Sequence, residues 1–381
     1  MPLKYLFRLL LCIVFSISLS AQEKESWFKE NFISKEDGAV DLSVYLDNAV
    51  GIIPMPIIIT EPAVGFGGGL SLVYFHRRKK NAQGEVQKGL PPSLSTIAGA
   101  YTANGTYAIL GAHQGSYLND FLRYTGAIGH PSVNLKFFGD ASLGARAGLD
   151  FNLQGFLVFQ EFLTRVKKDL PLFLGFNYIY FGNKVKFNVG DREIDPDLIT
   201  DTNTAGINFV AAFDRRDNIF TPNRGGFAAI DFGIHDQALG GSRNYNNFAF
   251  RGYYYLDFIN RVVLGLRYNF HYKWGDVPFF ELPFINLRGI PALRYQGNMV
   301  NTAEVEARIN VYKRWSVMGF AGTGTATDNF AAINADSFKS IIGTGFRYEL
   351  ARDYGLHMGV DFAFGPEQFA WYLTFGSNWF R

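Results

Sequence analysis

The chain has 381 residues, and its 36 lysines and arginines against 34 aspartates and glutamates give a formal net charge of +2. This balance excludes the concentrated basic surface that nucleic-acid binding requires. Charged residues make up only 18% of the chain, whereas glycine (41 residues) and aromatic residues (17%) are abundant. Such a composition is typical of a membrane β-barrel. A mean hydropathy of 0.00 is too low for a bundle of membrane-spanning helices.

The N-terminus has the pattern of a secretory signal peptide. Lys4 and Arg8 precede an apolar run that extends to Leu19, and small residues follow it. This pattern predicts a signal peptide over residues 1–21. The only cysteine, Cys12, lies inside that segment. We therefore expect a mature chain without disulfides or cysteine-based chemistry.

Two further regions follow the predicted signal peptide. Residues 22–61 are first charged and then apolar, and we interpret them as a short extended segment that lies in the periplasm or inside a barrel. The apolar stretch 49–60 is too short for a membrane-spanning helix and is interrupted by Pro54 and Pro56. Residues 62–381 are predicted to form the barrel itself.

Alternation of small or polar residues with large apolar ones begins in the segment 63–75. Gly65, Gly67 and Gly69 lie on one face, and large apolar residues lie on the other, as expected for a crowded lumen and a lipid surface. An open sheet edge inside a bilayer leaves backbone groups unpaired at a cost of several kcal/mol each. This first strand is therefore expected to pair with the last, 369–380.

Sixteen strands are predicted, an even number as in single-chain bacterial barrels. The predicted segments are 63–75, 93–103, 106–116, 121–129, 131–138, 148–163, 171–187, 204–213, 226–234, 246–258, 261–273, 301–311, 315–323, 340–350, 355–364 and 369–380. The expected fold class is all-β, a 16-stranded antiparallel transmembrane β-barrel.

Three motifs go beyond simple alternation. The first is a charged turn between strands, within residues 213–227. Its motif residues are Asp214, Arg216, Asp217, Pro222 and Gly225. The second motif is an Arg-Gly pair in the loop 286–298. The third is the strand that starts at Asn301, where Glu304 and Glu306 lie on one face because they are two residues apart.

The order of these motifs resembles the BamA/TamA-type bacterial surface-antigen superfamily of outer-membrane assembly and secretion barrels. The resemblance is clearest over residues 204–380. It implies that the loop tip, Arg288 and Gly289, folds back into the lumen of the barrel. It also implies that Arg288 pairs there with an inward-facing carboxylate, and Glu306 matches the family's glutamate.

The acidic partners differ from the family pattern at one position. The family's usual aspartate in the following strand falls at Gly322, and Asp361 is the predicted substitute. The candidate acidic partners are Glu304, Glu306 and Asp361. An arginine in a narrow lumen needs such acceptors because it is otherwise poorly solvated. The pair either contributes to transport or simply fixes the loop.

The last strand resembles the family's C-terminal assembly signal. Thr374, Gly376 and Trp379 occupy its polar, glycine and aromatic positions, and the chain ends in Arg381 where an aromatic or apolar residue is usual.

The glycines of the predicted first strand have two interpretations. Gly65, Gly67 and Gly69 provide little packing, which indicates a weak seam against the last strand at Gly376 and Trp379. The resembling insertases are thought to open laterally at such a seam. Alternatively, the glycines make room for the loop inside the lumen.

The region upstream of the barrel departs from the family. Family members carry periplasmic POTRA domains, and residues 22–61 are too few for one. We expect a short member without POTRA domains, in which periplasmic or outer-membrane partner proteins replace them. Outer-membrane lipids and lipopolysaccharide are the other expected partners. If the N-terminus is periplasmic, the basic cluster 76–80 faces outward, where it can meet lipopolysaccharide phosphates; the default interpretation is a plain charged loop.

Motifs for catalysis, cofactors or metals are not found. The six histidines are scattered, and we expect no enzyme activity, no cofactor and no metal site. The acidic run 191–201 is interpreted as a solvated loop. A Ser-His-acid triad assembled in space on the lipid face stays open as an alternative.

The resemblance implies a protein of the Gram-negative outer membrane that assists the insertion or export of proteins or lipids. The alternative is a passive channel or a structural barrel without insertase activity.

Overall fold

The computed structural model describes residues 21–48, 51–76, 93–138, 148–188 and 199–380. Two helices, α1 (Ala21–Phe32) and α2 (Ser43–Asn48), precede the first strand. An antiparallel bridge between Ile33 and Val40 lies between them. No helix in these ranges is long and apolar enough to cross a membrane.

Sixteen strands form one antiparallel sheet in chain order. They are β1 Gly51–Ile59, β2 Gly67–Phe75, β3 Leu94–Thr102, β4 Tyr107–Tyr117, β5 Leu122–Phe137, β6 Leu149–Lys167, β7 Leu170–Asn188, β8 Ile199–Asp214, β9 Gly225–His235, β10 Tyr245–Ile259, β11 Val262–Gly275, β12 Met299–Tyr312, β13 Trp315–Thr327, β14 Lys339–Ala351, β15 Leu356–Phe364 and β16 Phe369–Phe375. The predicted 16-stranded antiparallel barrel is confirmed.

The two faces of the sheet have opposite chemistry, as a membrane barrel requires. In β12, for example, the apolar Val305 and Ile309 are 45% and 42% exposed on the outer face. Glu304 and Arg308 alternate with them and are buried on the inner face. Charged groups therefore line the lumen, and apolar groups face the lipid.

The predicted first strand was wrong, because β1 precedes it. The stretch that became β1 lacks polar alternation and contains Pro54 and Pro56, which argue against a central strand. A second error compensated for it in the count: the predicted strands 121–129 and 131–138 are one strand, β5. Pro131 marks only a local gap in the pairing of β5 with β6, which resumes at Ser132.

The two ends of the barrel are distinguished by their connections. Five of the connections from an even-numbered strand to the next odd-numbered strand have four residues or fewer, and we call the end where they lie the turn end. Examples are the connections between Tyr117 and Leu122, Lys167 and Leu170, Ile259 and Val262, and Tyr312 and Trp315. We call the opposite end, where β11 connects to β12, the loop end. Because the sheet is antiparallel in chain order, every odd-numbered strand begins at the turn end.

The missed strand changes the end of the barrel at which β2 ends. β2 ends at Phe75 and is even-numbered, so it ends at the turn end, where β1 begins. Residues 77–80 of the basic cluster 76–80 are outside the described ranges. So are residues 1–20 of the predicted signal peptide and most of the acidic run 191–201.

Candidate functional site

A long loop from the loop end fills part of the lumen. This lumen loop, residues 276–298, connects β11 to β12. Its Ile285, Leu287 and Ile290 are each less than 5% exposed. They form one apolar cluster with inward-facing residues of the sheet, namely Val300, Phe320, Ile341, Ala363, Ala370 and Tyr372. The predicted folding of the loop into the barrel is confirmed, and burial of apolar surface holds it there.

Arg288 lies at the inner tip of the lumen loop and contacts three carboxylates. Its Nη1 donates to Asp361 Oδ2 at 2.7 Å, and its Nη2 donates to Glu306 Oε2 at 3.2 Å and to Glu304. The guanidinium carbon lies 3.5 Å from the ring centroid of Phe320. The side chain is only 3% exposed. All three candidate acidic residues thus surround this one arginine.

Two further arginines complete the cluster. Arg267 Nη1 donates to Glu304 at 3.2 Å, and Arg347 donates to both oxygens of Asp361 at 2.6 and 2.9 Å. Three arginines and three carboxylates give a formal charge of zero, which is the condition for burying so many ionised groups. We call these six residues the lumen network. Sequence reasoning missed Arg267, although it is the direct cross-strand partner of Glu304.

Gly289 ties the lumen loop to the last strand. Its backbone N–H donates to the hydroxyl of Tyr372 in β16 at 2.8 Å. Its φ angle is +87°, and a Cβ atom would lie 2.9 Å from the backbone nitrogen of Gly365. Both observations require glycine here.

The turn motif forms an ordered loop between β8 and β9 at the turn end. Arg216 binds Asp214 through two parallel hydrogen bonds of 2.8 and 2.9 Å. Asp217 Oδ1 accepts from the backbone N–H groups of Asn223 and Arg224. At Gly225, φ is +93° and a Cβ atom would overlap the carbonyl oxygen of Arg215. These contacts stabilise the loop between β8 and β9 and explain the residues of the turn motif.

This loop reaches the parts of the chain around the last strand. The carbonyl of Phe220 accepts from the Ser377 N–H at 2.7 Å, and the hydroxyl of Thr221 accepts from the His357 N–H at 3.2 Å. The carbonyl of Pro222 accepts a long hydrogen bond of 3.5 Å from the inward-facing Arg308. The turn-motif loop therefore connects the end of β16 to the interior of the barrel.

The C-terminus does not continue as a strand, so the predicted strand 369–380 was too long. β16 ends at Phe375, and Gly376, with φ at +77°, turns the chain. Trp379 is 4% exposed, and its ring centroid lies 5.3 and 6.0 Å from those of Tyr255 and Tyr253. Asn378 donates to Asp361 of the lumen network. The terminal residues therefore pack on inward-facing groups, and Trp379 is not a seam residue.

The seam of the barrel lies between β1 and β16. In the described strands no hydrogen-bonded ladder joins them. The glycines predicted for the seam are elsewhere, since Gly67 and Gly69 pair with both β1 and β3. A Cβ atom at Gly69 would lie 2.1 Å from the Gly99 carbonyl oxygen, so this glycine allows close approach to β3. Gly65, with φ at +79°, lies in the turn before β2.

The prolines of β1 lie where they weaken its free edge. Pro54 and Pro56 are on the outer face, and neighbouring residues of a strand direct their backbone groups to opposite edges. The Ile57 carbonyl oxygen lies 3.4 Å from the position of a Cβ atom at Gly68 in β2. The backbone groups of Ile57 therefore face β2, and those of the two prolines face β16. Proline has no N–H group, so the free edge of β1 lacks two donors.

One polar cluster on the outer face bears on the open enzyme alternative. Ser95 Oγ lies 2.9 Å from His76 Nε2 and 2.7 Å from His113 Nδ1, and His113 Nε2 lies 2.6 Å from the Tyr117 hydroxyl. No carboxylate takes part in the hydrogen bonds described for these residues. The cluster thus lacks the acid of a Ser-His-acid triad. Within the described ranges, no group of acidic residues, histidines or cysteines is arranged to hold a metal ion.

Comparisons with known proteins agree with this architecture. Residues 121–287 match the Omp85 superfamily domain. BamA from Haemophilus ducreyi lacking POTRA domains 1–3 has a similar fold, with a TM-score of 0.56 and 11% identity over 92% of this chain and 81% of that one. CdiB from Acinetobacter baumannii gives 0.54 and 10%, over 85% of this chain and 59% of that one.

CdiB from Escherichia coli gives a TM-score of 0.53 with 10% identity, over 84% of this chain and 61% of that one. This chain therefore spans about six tenths of the length of either CdiB chain. No curated protein matches it in sequence. Residues 121–287 are therefore similar to the Omp85 superfamily domain, and the barrel as a whole has the fold of BamA and CdiB.

Proposed function

We propose that this barrel lies in the outer membrane of a Gram-negative bacterium and assists the insertion or export of proteins or lipids through its seam. The observation that carries the proposal is the unpaired seam, where the edge of β1 lacks the donors of Pro54 and Pro56. The prolines weaken pairing with β16, and the remaining free N–H and C=O groups of this edge can pair with an incoming strand. In lipid an unpaired edge also costs several kcal/mol for each unsatisfied group, so a client strand that pairs there gains free energy.

The filled lumen favours this proposal over a passive channel. The lumen loop enters from the loop end, and the terminal residues Asn378 and Trp379 pack on inward-facing groups from the turn end. Both occupy space that a path for solute would need. In an assembly barrel the lumen network has a different role. It holds the lumen loop and the edge of β16 in place while β1 separates from β16 at the seam. Barrels of this superfamily are in general not enzymes.

We assign the turn end to the periplasm. Bacterial outer-membrane barrels have short periplasmic turns and longer extracellular loops, and five of the seven connections of four residues or fewer lie at the turn end of this chain. In this orientation the N-terminal helices are periplasmic, and the loop end faces lipopolysaccharide. Periplasmic or outer-membrane partner proteins would bind at the turn end.

Depletion in the native bacterium tests the function directly. We expect quantitative proteomics of the outer membrane to show broad or selective loss of other barrels, and the proteins lost would be the clients. An unchanged barrel inventory would contradict an assembly role. Single-channel conductance and lipid composition would then decide between a channel and a lipid exporter.

A covalent lock tests the role of the seam. Ile53→Cys and Thr374→Cys, joined by a reducible bis-maleimide linker, would connect β1 to β16. The matched control joins Ile53→Cys to Val73→Cys, which are direct partners in the β1–β2 ladder. We expect the seam lock to abolish client insertion until the linker is reduced, with no effect of the control lock. Equal activity of both locked forms would remove the seam from the mechanism.

A further inference from the structure

The segment before β1 is fixed to the turn end by ion pairs. Arg314, in the turn between β12 and β13, donates to Asp37 at 2.7 Å and lies 2.9 Å from Asp41. Arg352, in the turn between β14 and β15, donates to Asp37 at 2.8 Å. The hydrogen bond from Arg314 lowers the pKa of Asp37 well below its usual range. Asp37 and Asp41 are thus directed at the barrel.

The segment lies against the outer side of the barrel rim. The Tyr348 hydroxyl donates to the Val40 carbonyl at 2.8 Å, and the Leu42 N–H donates to the Leu350 carbonyl at 2.8 Å. Tyr348 pairs with Trp315, which is 45% exposed on the outer face, and their ring centroids are 4.9 Å apart. The contacts therefore continue from the lipid-facing surface of β13 and β14 onto the segment.

Several apolar and aromatic side chains of the segment are exposed, beside the exposed Lys29 and Glu30. Trp27 and Phe28 in α1 are about half exposed, as is Val44 in α2. The two helices are held together by aromatic packing, since Phe32 stacks on Tyr45 with ring centroids 4.8 Å apart. Tryptophan beside apolar residues, on a surface continuous with an aromatic belt, is characteristic of a membrane–water interface.

We propose that residues 21–48 form an interfacial anchor that lies among the lipid headgroups of the leaflet at the turn end, beside β13 and β14. The anchor goes beyond the proposed insertion activity and depends only on the barrel being in a membrane. Lipid is favoured over a protein partner because the segment packs through Val40 on Tyr348, beside the lipid-facing Trp315. Asp37 and Asp41, which would repel anionic lipid, are directed at Arg314 and Arg352. The anchor would hold the bilayer surface close to the rim near β16.

Fluorescence quenching in vesicles tests the anchor. Cys12 is replaced by serine in every variant, and a bimane label is placed on Val44→Cys, on the lipid-facing Val317→Cys, or on Ala335→Cys at the loop end. The barrel is folded into phosphatidylethanolamine and phosphatidylglycerol vesicles with or without shallow doxyl-labelled lipid. We expect doxyl quenching at position 44 to reach at least half of that at 317. Iodide quenching there should be several-fold weaker than at 335.

A second variant keeps the test decisive. Trp27→Ser with Phe28→Ser should reduce doxyl quenching at position 44 at least twofold, while the heat-modifiable gel mobility of the folded barrel stays unchanged. The proposal is overturned if the label at 44 is quenched by iodide as strongly as the label at 335 and not by doxyl lipid. That outcome would leave the aromatic face in water, free for a protein partner. Because no client is present in the assay, its result is independent of the insertion activity.

Discussion

The two edges of the sheet, β1 and β16, are held in very different ways. β16 is tied to the interior through Tyr372, which accepts from Gly289, and through the residues after it, which bind Phe220 and Asp361. In the described chain the hydrogen bonds of β1 are those of its ladder with β2. One edge is therefore fixed by tertiary contacts, and the other depends on a single neighbouring strand. If the seam opens, β1 and β2 are the part that should move.

Asp361→Ala should lower the free energy of unfolding most, because it removes contacts that hold β16 to the interior. The substitution leaves Arg288 and Arg347 buried without a shared acceptor and removes the partner of Asn378. Loss of one member of a buried ionic group costs about 3–5 kcal/mol. Urea unfolding in vesicles, followed by gel mobility, measures the change.

A matched control uses an ion pair at the surface. Glu367→Ala removes the partner of Arg294, where the carboxylate is 43% exposed. Exposed pairs are worth about 0–1 kcal/mol, so this variant should unfold almost as the unmodified barrel does. Similar losses for the two variants would show that the lumen network has no special role.

Gly289→Ala should weaken the same edge by a smaller amount. The left-handed backbone at this position and the contact with Gly365 cost about 1–3 kcal/mol for a residue with a Cβ atom. We expect the loss in urea unfolding to be accompanied by faster hydrogen exchange in β16, since the tie to Tyr372 is strained. Gly319→Ala is the control, because a Cβ atom there meets nothing within 4 Å. Unchanged exchange in β16 would argue against a tie through the loop.

Replacement of both prolines in β1 by valine sharpens the comparison at the free edge. Pro54→Val with Pro56→Val restores two N–H donors that face β16. Each new hydrogen bond is worth about 0.5–1.5 kcal/mol, so the seam should close more often. We expect slower hydrogen exchange in β1 and a several-fold lower rate of client insertion. Pro131→Val, in the interior strand β5, serves as the control and should leave the insertion rate unchanged.

These edges also mark the limit of what the sequence could predict. Alternation predicted most strands because each inward or outward residue obeys a local rule. It missed β1, since prolines are excluded from central strands but tolerated at an edge whose N–H groups face no partner. Which strands lie at the edges of the sheet follows only from the order of all sixteen strands. No local pattern in the sequence contains that order.

For the same reason, only part of the lumen network could be predicted from the sequence. Arg288 and Glu306 belong to motifs that are continuous in sequence, so their pairing could be predicted from the resemblance. Arg347 and Asn378 reach Asp361 only through the register of β14 with β15 and the turn at Gly376. Neither the register nor that turn has a signal in the sequence strong enough to place them. Three buried carboxylates around one arginine require further cations, but charge balance does not say which arginines supply them.

Acidification should release the N-terminal segment from the barrel. Of the four predicted effects, this is expected to be the smallest. The pKa of Asp37 is lowered in the docked state from an ordinary value of 3.8. Docking is therefore favoured above that ordinary value and weakens as the pH falls below it, where the free carboxylate is protonated. A bimane label on Val44→Cys should keep its anisotropy from pH 7 to about pH 4 and lose it at lower pH. Arg314→Gln should abolish this pH dependence, because the carboxylate then has lost its main partner. A label that stays equally immobile at low pH would mean that the aromatic face, held by lipid, fixes the segment without Asp37.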